Sequence, residues 1–535
     1  MTSVRVPRRV HVAALAVGSA TTLIRFLAHV GFPNDHFLYL APAQQLAMGE
    51  WPSRDFVDPG TPLMYVTSWA MQRLIAPPQL AEAWWVALAF GAAAALTVVA
   101  AWRVSGWTWL AIAAALVEVL LFPRSYHYPK MLVYAATFVA IFSYVERPDR
   151  GHAVVVACCV VMALLFRHDH GVFLACAAIV AAALAPAPED TAVRRVTTMA
   201  LLCGIVAAPY AIYVALTTGI LPHVASGLAY SRAEAGRTFL GAPGIPWSRL
   251  LTPEGARVGL FYVLHALPVA ALATLMVIGR QRGGDWRRTV ALVAPVILTA
   301  FAVNASMLRE PLDARLPDAA VPAVVLAAWL LSYAWLSSRR RVAFPAALGI
   351  ATVVAAAAVA VVGTPVEHFD RAGLIEAPGR AFDRIFTTAD EISTRDGRRT
   401  FSSGATQSLL PLIRYVRRCT VASDRLFVAG DMPELYVLTE RPFAGGQPAL
   451  RGGFFETDED QRRVVARLHA QRVPLVVVLT EGDAASFRIV MADLNQRYEP
   501  VRDFEMRNHS PVRLLRSRSV PSTGVDAALG LPCYR

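Results

Sequence analysis

The chain has 535 residues, of which 56% are hydrophobic and 17% charged, with a mean hydropathy of +0.45 and a formal net charge of +12. Such a composition over this length excludes a soluble enzyme and places the chain among polytopic membrane proteins. The charge does not imply nucleic acid: residues 364–535 carry 24 basic and 22 acidic side chains, so the rest of the excess lies in the apolar part.

Read with a window of roughly 19 residues, apolar runs fall near 10–31, 80–101, 107–122, 131–145, 153–166, 172–185, 196–217, 259–279, 289–306, 321–337 and 342–363. These predict about 11 transmembrane helices. The third to sixth runs are shorter than the roughly 20 residues a span needs, so pairs of them are also compatible with re-entrant segments. The first run is too long for a signal peptide, lacks a cleavage site and leads into further spans.

Arginines orient the bundle. Arg5, Arg8 and Arg9, then Arg103, Arg147, Arg150, Arg194 and Arg195, then Arg280, Arg282, Arg287 and Arg288, and finally Arg339, Arg340 and Arg341 fall in one set of short loops. That set holds about 15 basic residues in roughly 47 positions, against about 11 in roughly 116 for the other, and the basic side is expected to be cytoplasmic. The expectation is a multi-pass protein of the bacterial inner (plasma) membrane, N-terminus cytoplasmic and C-terminus extracytoplasmic. A transmembrane domain, 1–363, carries a large first outer loop (32–79) and another at 218–258. A soluble α/β domain follows at 364–535, a length typical of one domain.

Within that tail, Gln407 to Cys419 is amphipathic and "RLFVAG" (Arg425 to Gly430) reads as a strand. "ETDEDQRRVVARLHAQ" opens a helix capped at Thr457, "VPLVVVLT" (Val473 to Thr480) is a short buried-strand run, and Ala484 to Arg497 is helical. Cys158, Cys159, Cys176 and Cys203 lie in apolar runs, whereas Cys419 and Cys533 lie in the tail. The latter two are candidates for a disulfide in an oxidising compartment, with a pair of buried thiols as the alternative. No cysteine and histidine spacing marks a zinc site, and a cofactor or divalent cation requirement stays open.

Five polar motifs fall on the outer side: "NDHF" (Asn34 to Phe37), "SRDFVDPG" (Ser53 to Gly60), "FPRSYHYPK" (Phe122 to Lys130), "FRHDHG" (Phe166 to Gly171) and "LREPLDARLPD" (Leu308 to Asp318). They supply the carboxylates Asp35, Asp55, Asp58 and Asp169, the cations Arg54, Arg124, Lys130 and Arg167, and the imidazoles of His36 and His127. Carboxylates take protons from attacking hydroxyls and cations stabilise departing phosphates. Each motif also has an ordinary structural reading: Asp35 at a helix end, Asp58-Pro-Gly as turn chemistry, the aromatics as an interfacial belt. Lys130 is the only lysine beside 50 arginines, and its compact ammonium is not interchangeable with a guanidinium.

The aspartate after the first span, followed by "YLAPAQQLAMGEWPSRDFVDPGTPLMY", resembles the first outer loop of the GT-C glycosyltransferases, in particular the family 39 group of protein mannosyltransferases and aminoarabinose-to-lipid-A transferases. The tail segment "LLPLIRYVRRCTVASDRLFVAGDMPELYVLTERPFAGG" (Leu409 to Gly446) is similar to the outer domains of bacterial members. Where many relatives carry Asp-Glu, this chain has Asp35-His36, so His36 replaces the second acid or Asp55 or Asp169 supplies it. The resemblance implies an inverting transferase with a sugar donor on polyprenyl phosphate and a lipid, envelope-glycan or protein acceptor. Asp35 would be the general base, with His36, Arg54, Asp55, Asp58, Arg124, His127, Lys130, Arg167 and Asp169 binding substrate. Of these, Arg124, Lys130 and Arg167 would hold the leaving phosphate.

No Walker A loop and no Gly-x-Gly-x-x-Gly after a strand is present, consistent with a lipid-linked rather than a soluble nucleotide donor. The competing class is a transporter or lipid-linked-sugar flippase. That class places ionisable groups near the bilayer midplane, where only Arg25 and Glu118 look deep, as a pair.

Overall fold

The computed structural model describes residues 6–186, 190–237, 241–245, 248, 252–281, 286–308, 312–336, 349, 350, 352, 370, 372, 378–479 and 486–535. The eleventh apolar run, 342–363, lies outside the described residues apart from 349, 350 and 352, as do the arginines at 5, 282 and 339–341. The chain divides into two compact units. The first comprises Met1–Ala28, Trp84–Ile212 and Thr238–Ile385; the second comprises His29–Ala83, Tyr213–Arg237 and Phe386–Arg535.

The first unit is helical and its composition is that of a membrane bundle. Among the described residues seven helical stretches are long and apolar enough to cross a membrane: Arg8–Leu27, Pro78–Ser105, Ser125–Glu146, Ala192–Thr217, Pro253–Arg280, Trp286–Ser306 and Leu316–Trp335. Shorter apolar helices cover Thr108–Leu120, Arg150–Phe166 and His168–Leu184. In chain order the helices of this part are α1 (Arg8–Leu27), α4 (Pro78–Ser105), α5 (Thr108–Leu120), α6 (Tyr128–Glu146), α7 (Arg150–Phe166), α8 (His168–Leu184), α9 (Ala192–Thr217), α11 (Pro253–Gln281), α12 (Trp286–Ser306), α13 (Leu312–Arg315) and α14 (Ala320–Leu336). Between them fall α2 (Asn34–Ala47), α3 (Pro62–Leu74) and α10 (Ile220–Arg237), which belong to the second unit.

Lipid offers no hydrophobic drive for helices to associate, so close approach of small residues carries much of the packing. A Cβ on Gly91 of α4 would lie 2.6 Å from the Gly18 carbonyl oxygen of α1, so only glycine permits this crossing. On α8, Ala177, Ala178, Ala181 and Ala182 are all fully buried, and the helix packs on α7 and α12. Arg25 of α1 is held in the same unit by cation–π contacts to Phe90 and Phe122, each 3.8 Å from the ring centroid, and donates to the Pro123 carbonyl at 2.7 Å.

In the second unit the tail forms a four-stranded sheet in the order β1-β2-β4-β3, with β1 (Leu426–Ala429) parallel to β2 (Leu475–Leu479) and the pairs β2–β4 and β3–β4 antiparallel. Here β3 is Tyr498–Met506 and β4 is His509–Ser517, and a small ribbon pairs β5 (Gly524–Val525) with β6 (Pro532–Cys533). The helices of this part are α15 (Ala381–Ser393), α16 (Gly404–Ser408), α17 (Leu410–Cys419), α18 (Glu434–Thr439), α19 (Asp458–Ala470) and α20 (Arg488–Arg497). Thr457 caps α19 by accepting from the Asp460 amide at 3.2 Å, and three acidic residues occupy its first turn, where they meet the positive end of the helix dipole. Val464, Leu468, Val490 and Leu494 from α19 and α20 bury one face of the sheet with Phe427, Val476 and Val478.

Cys419 and Cys533 are disulfide-bonded, closing a loop with a sequence separation of 114. Cross-linking a loop of that size restricts the unfolded chain, so replacing both cysteines with serine is expected to lower stability by about 2–4 kcal/mol. Denaturant unfolding of the oxidised protein and the double variant checks it.

Glu434 of α18 is buried, accepting from the Ser402 amide and the Thr406 hydroxyl. Burial pushes its carboxyl above the ordinary range, against the pull of those hydrogen bonds. The folded protein therefore binds this proton more tightly than the unfolded chain. The resulting stability is present below the usual glutamate range and is lost as pH rises through the raised value. Glu434→Gln is expected to raise the thermal midpoint at pH 8, with the advantage shrinking as pH falls toward about 4; melting curves across that range test the sign.

Candidate active site

Asp35 lies in the first turn of α2, whose entry is set by Pro33 in extended conformation. Its side chain is 49% exposed, and Oδ1 accepts from Arg451 Nη2 at 3.2 Å. The same guanidinium donates through Nε to Asp431 Oδ2 at 2.8 Å and lies 4.0 Å from Glu234 Oε1. Burial favours the neutral guanidine, but the charges of Asp431 and Asp35 outweigh it and hold Arg451 above its usual value. The Asn34 amide nitrogen donates to the Asp431 carbonyl at 3.3 Å, so both ends of the contact are tied. Asp35 is thus a carboxylate with one oxygen engaged and half its surface open.

His36, one position on, points the other way. It is fully buried, stacks on Phe32 at 4.5 Å and bonds Glu82 Oε1 through Nε2 at 2.7 Å. Glu82, 1% exposed, is the acid that meets this histidine, and it comes from the start of α4 rather than from the next residue in the loop.

The rest of the loop is shaped by its own carboxylates. Asp58 Oδ1 accepts from the amides of Gly60 and Thr61 at 2.9 Å each, an Asx-type turn that starts α3, and its side chain is buried. Asp55 accepts from the Trp51 amide and from Arg54 Nε at 2.8 Å each, and Arg54 also donates to the Gly49 carbonyl at 2.7 Å. Burial would raise the Asp55 carboxyl, yet the Arg54 and Trp51 hydrogen bonds hold it below the usual range. Further long-range bonds pin the loop to the tail, among them Gln45 to the Phe443 carbonyl at 2.8 Å, Val57 to the Gly446 carbonyl at 3.0 Å, Arg399 to the His29 carbonyl at 2.7 Å, and the Arg425–Glu50 ion pair.

The remaining expected residues belong to the first unit. Lys130 at the start of α6 is 2% exposed and donates to Asp318 Oδ2 at 2.6 Å, while His127 Nδ1 lies 3.5 Å from Asp318 Oδ1. Lys130 is therefore neutralised inside the protein. Arg167 and Asp169 pair across the start of α8, Nε to Oδ1 and Nη2 to Oδ2 at 3.0 Å each, both about one-third exposed. Next to them, His170 bonds the Tyr134 hydroxyl. Arg124 is exposed and reaches the Tyr126 hydroxyl at 3.4 Å.

The ten expected residues thus form two sets. Asp35, His36, Arg54, Asp55 and Asp58 belong to the second unit, and Arg124, His127, Lys130, Arg167 and Asp169 to the first. Sequence reading missed Glu82, Glu234, Asp431 and Arg451, and did not single out Asp318 within its motif. Asp431 was within reach: it follows Gly430 at the carboxyl end of a parallel strand, where α/β sheets place functional groups. Among the described residues no group of three or more histidine, cysteine, aspartate or glutamate side chains is arranged to hold a metal ion.

No family model matches the chain, and no curated protein matches it. Solved structures do. ArnT from Cupriavidus metallidurans bound to undecaprenyl phosphate is 12% identical, with a TM-score of 0.45 over 94% of this chain and 97% of that one. The same protein in the apo state gives 12% identity and a TM-score of 0.47 at the same coverage. The arabinofuranosyltransferase AftD from Mycobacteria, solved by cryo-EM, is 15% identical with a TM-score of 0.46, matching 96% of this chain and 40% of AftD.

Proposed function

We propose that the protein is an integral membrane glycosyltransferase of the GT-C type, which moves a sugar from a polyprenyl-phosphate donor to an extracytoplasmic acceptor with inversion. The observation that carries this reading is Asp35: an accessible carboxylate in a first helical turn, held by Arg451, within a loop whose sequence resembles that family's first outer loop. Asp35 takes the proton of the acceptor hydroxyl as its oxygen attacks the anomeric carbon. The bond from that carbon to the phosphate oxygen breaks in the same step, and polyprenyl phosphate departs. A phosphate leaves without protonation, so no general acid is needed, unlike the carboxylate pairs of glycoside hydrolases.

Among the expected cations of the first unit, Arg124 and Arg167 are accessible and keep the phosphate-binding role that the resemblance implies, whereas Lys130 is buried on Asp318. His36, Arg54, Asp55 and Asp58 shape the loop that presents Asp35. Incubating purified protein with radiolabelled polyprenyl-phosphate sugars and crude cell envelope tests the proposal: label is expected to pass into an envelope fraction. Solute flux in liposomes lacking any acceptor, with no transfer of label, would replace it with a transporter.

A further inference from the structure

Helix α10 has two faces of different chemistry. One is tied to the rest of the second unit: His223 lies 3.5 Å from Ser53 Oγ, the Tyr230 ring is 4.8 Å from that of Phe454, and Glu234 lies 4.0 Å from Arg451. These positions recur at the three- and four-residue spacing of one helical face. The opposite face carries Leu221, Val224 and Leu228, which are 83%, 50% and 52% exposed. A stripe of large aliphatic side chains this open to water needs an occupant.

Chain continuity identifies it. α10 follows α9, a candidate span in whose most apolar window only 11% is buried inside the protein, so its surface is made for lipid. At the end of α9, Leu216 is 81% exposed. The helix then stops where the Thr218 and Gly219 amides both donate to the Val214 carbonyl, and Gly219 turns the chain at φ +83°. Leu221 follows two residues later. The exposed Arg232 continues the aliphatic stripe at its C-terminal end, and an arginine in that position can lay its stem along apolar surface while its guanidinium stays in a polar layer.

We infer that α10 is an interfacial helix, its Leu221–Val224–Leu228 face seated in the acyl boundary of the phospholipid bilayer and its His223–Tyr230–Glu234 face holding the first loop and the tail. The depth of such seating is about 5–10 Å. A helix anchored this way moors Arg451, and through it Asp35, to the membrane surface at the level where a lipid-linked donor presents its headgroup. The seating itself stands on the helix alone, whatever reaction the protein performs.

The test uses the full chain in phosphatidylcholine–phosphatidylglycerol liposomes, with free Cys158, Cys159, Cys176 and Cys203 replaced by alanine and the Cys419–Cys533 bond intact. Nitroxide labels are placed singly through Leu221→Cys, Val224→Cys and Leu228→Cys, with Glu459→Cys on exposed α19 as the aqueous reference. Power saturation is expected to show high oxygen and low nickel-complex accessibility at all three positions, and the reverse at 459. Water-like accessibility at 221, 224 and 228 would overturn the inference. So would dipolar broadening at those sites that disappears on dilution with unlabelled protein, because the occupant would then be a second copy of the chain. Neither readout depends on sugar transfer, so loss of the glycosyltransferase reading would leave this result standing.

Discussion

Asp35→Asn is expected to reduce sugar transfer from a polyprenyl-phosphate donor by about 10²–10⁴-fold, the span attributable to a positioned general base. The variant keeps the size and shape of the side chain, and its amide oxygen still accepts from Arg451, so stability should fall by no more than about 1 kcal/mol. The deficit should appear in the turnover number while the apparent affinity for the donor is retained, because the residue is assigned to the acceptor proton. Single-turnover kinetics with a radiolabelled donor separates the two quantities. Wild-type turnover in this variant would remove Asp35 from the base role.

The second large effect concerns stability. Lys130→Met removes the ammonium from buried Asp318 and leaves it the His127 ring at 3.5 Å. Removing one partner of a buried pair typically costs about 3–5 kcal/mol, whereas replacing both with apolar residues of similar volume is often close to neutral. The double variant Lys130→Met/Asp318→Leu should therefore regain most of what Lys130→Met loses, as measured by thermal unfolding in detergent. If Lys130 instead met a substrate phosphate directly, the single variant would stay stable and the double variant would offer no recovery of transfer.

The apolar helices were legible because lipid imposes a simple requirement: a run of nonpolar side chains long enough to span. The short third, fifth and sixth runs correspond to α5, α7 and α8, with 13, 17 and 17 residues. The fourth begins earlier than its hydropathy suggests, at Ser125, because "SYHYPK" places polar groups and a proline in a stretch that turns out helical. The helices α2 and α3 left no such trace, since they pack on each other, α2 also packs on α18 of the tail, and α2 contains Pro42.

In the tail, Thr457 and the run Leu475–Leu479 carried local signals, a cap and a buried strand. Strands β3 and β4 did not. Their charged residues pair across the strands, Arg513 with Asp503 and Arg516 with Glu499, and a polar sequence of that kind resembles a loop until its partner is known. The same holds for the candidate site. Asp35 was readable from its place after a span, but Arg451, which holds it, lies 416 residues away, and no local pattern announces a contact of that range.

That distance also has a temporal side. The Gln45 side chain finds its acceptor at Phe443, 398 residues later. At synthesis rates of about 5–20 residues per second, the first loop waits roughly 20–80 s after emerging before the backbone it binds exists. Through that interval Gln45, Glu50 and the Val57 amide must remain hydrated or be held by another protein. A nascent chain stalled before residue 443 should present residues 45–57 to protease or chaperone, and their protection would mark the moment the tail arrives.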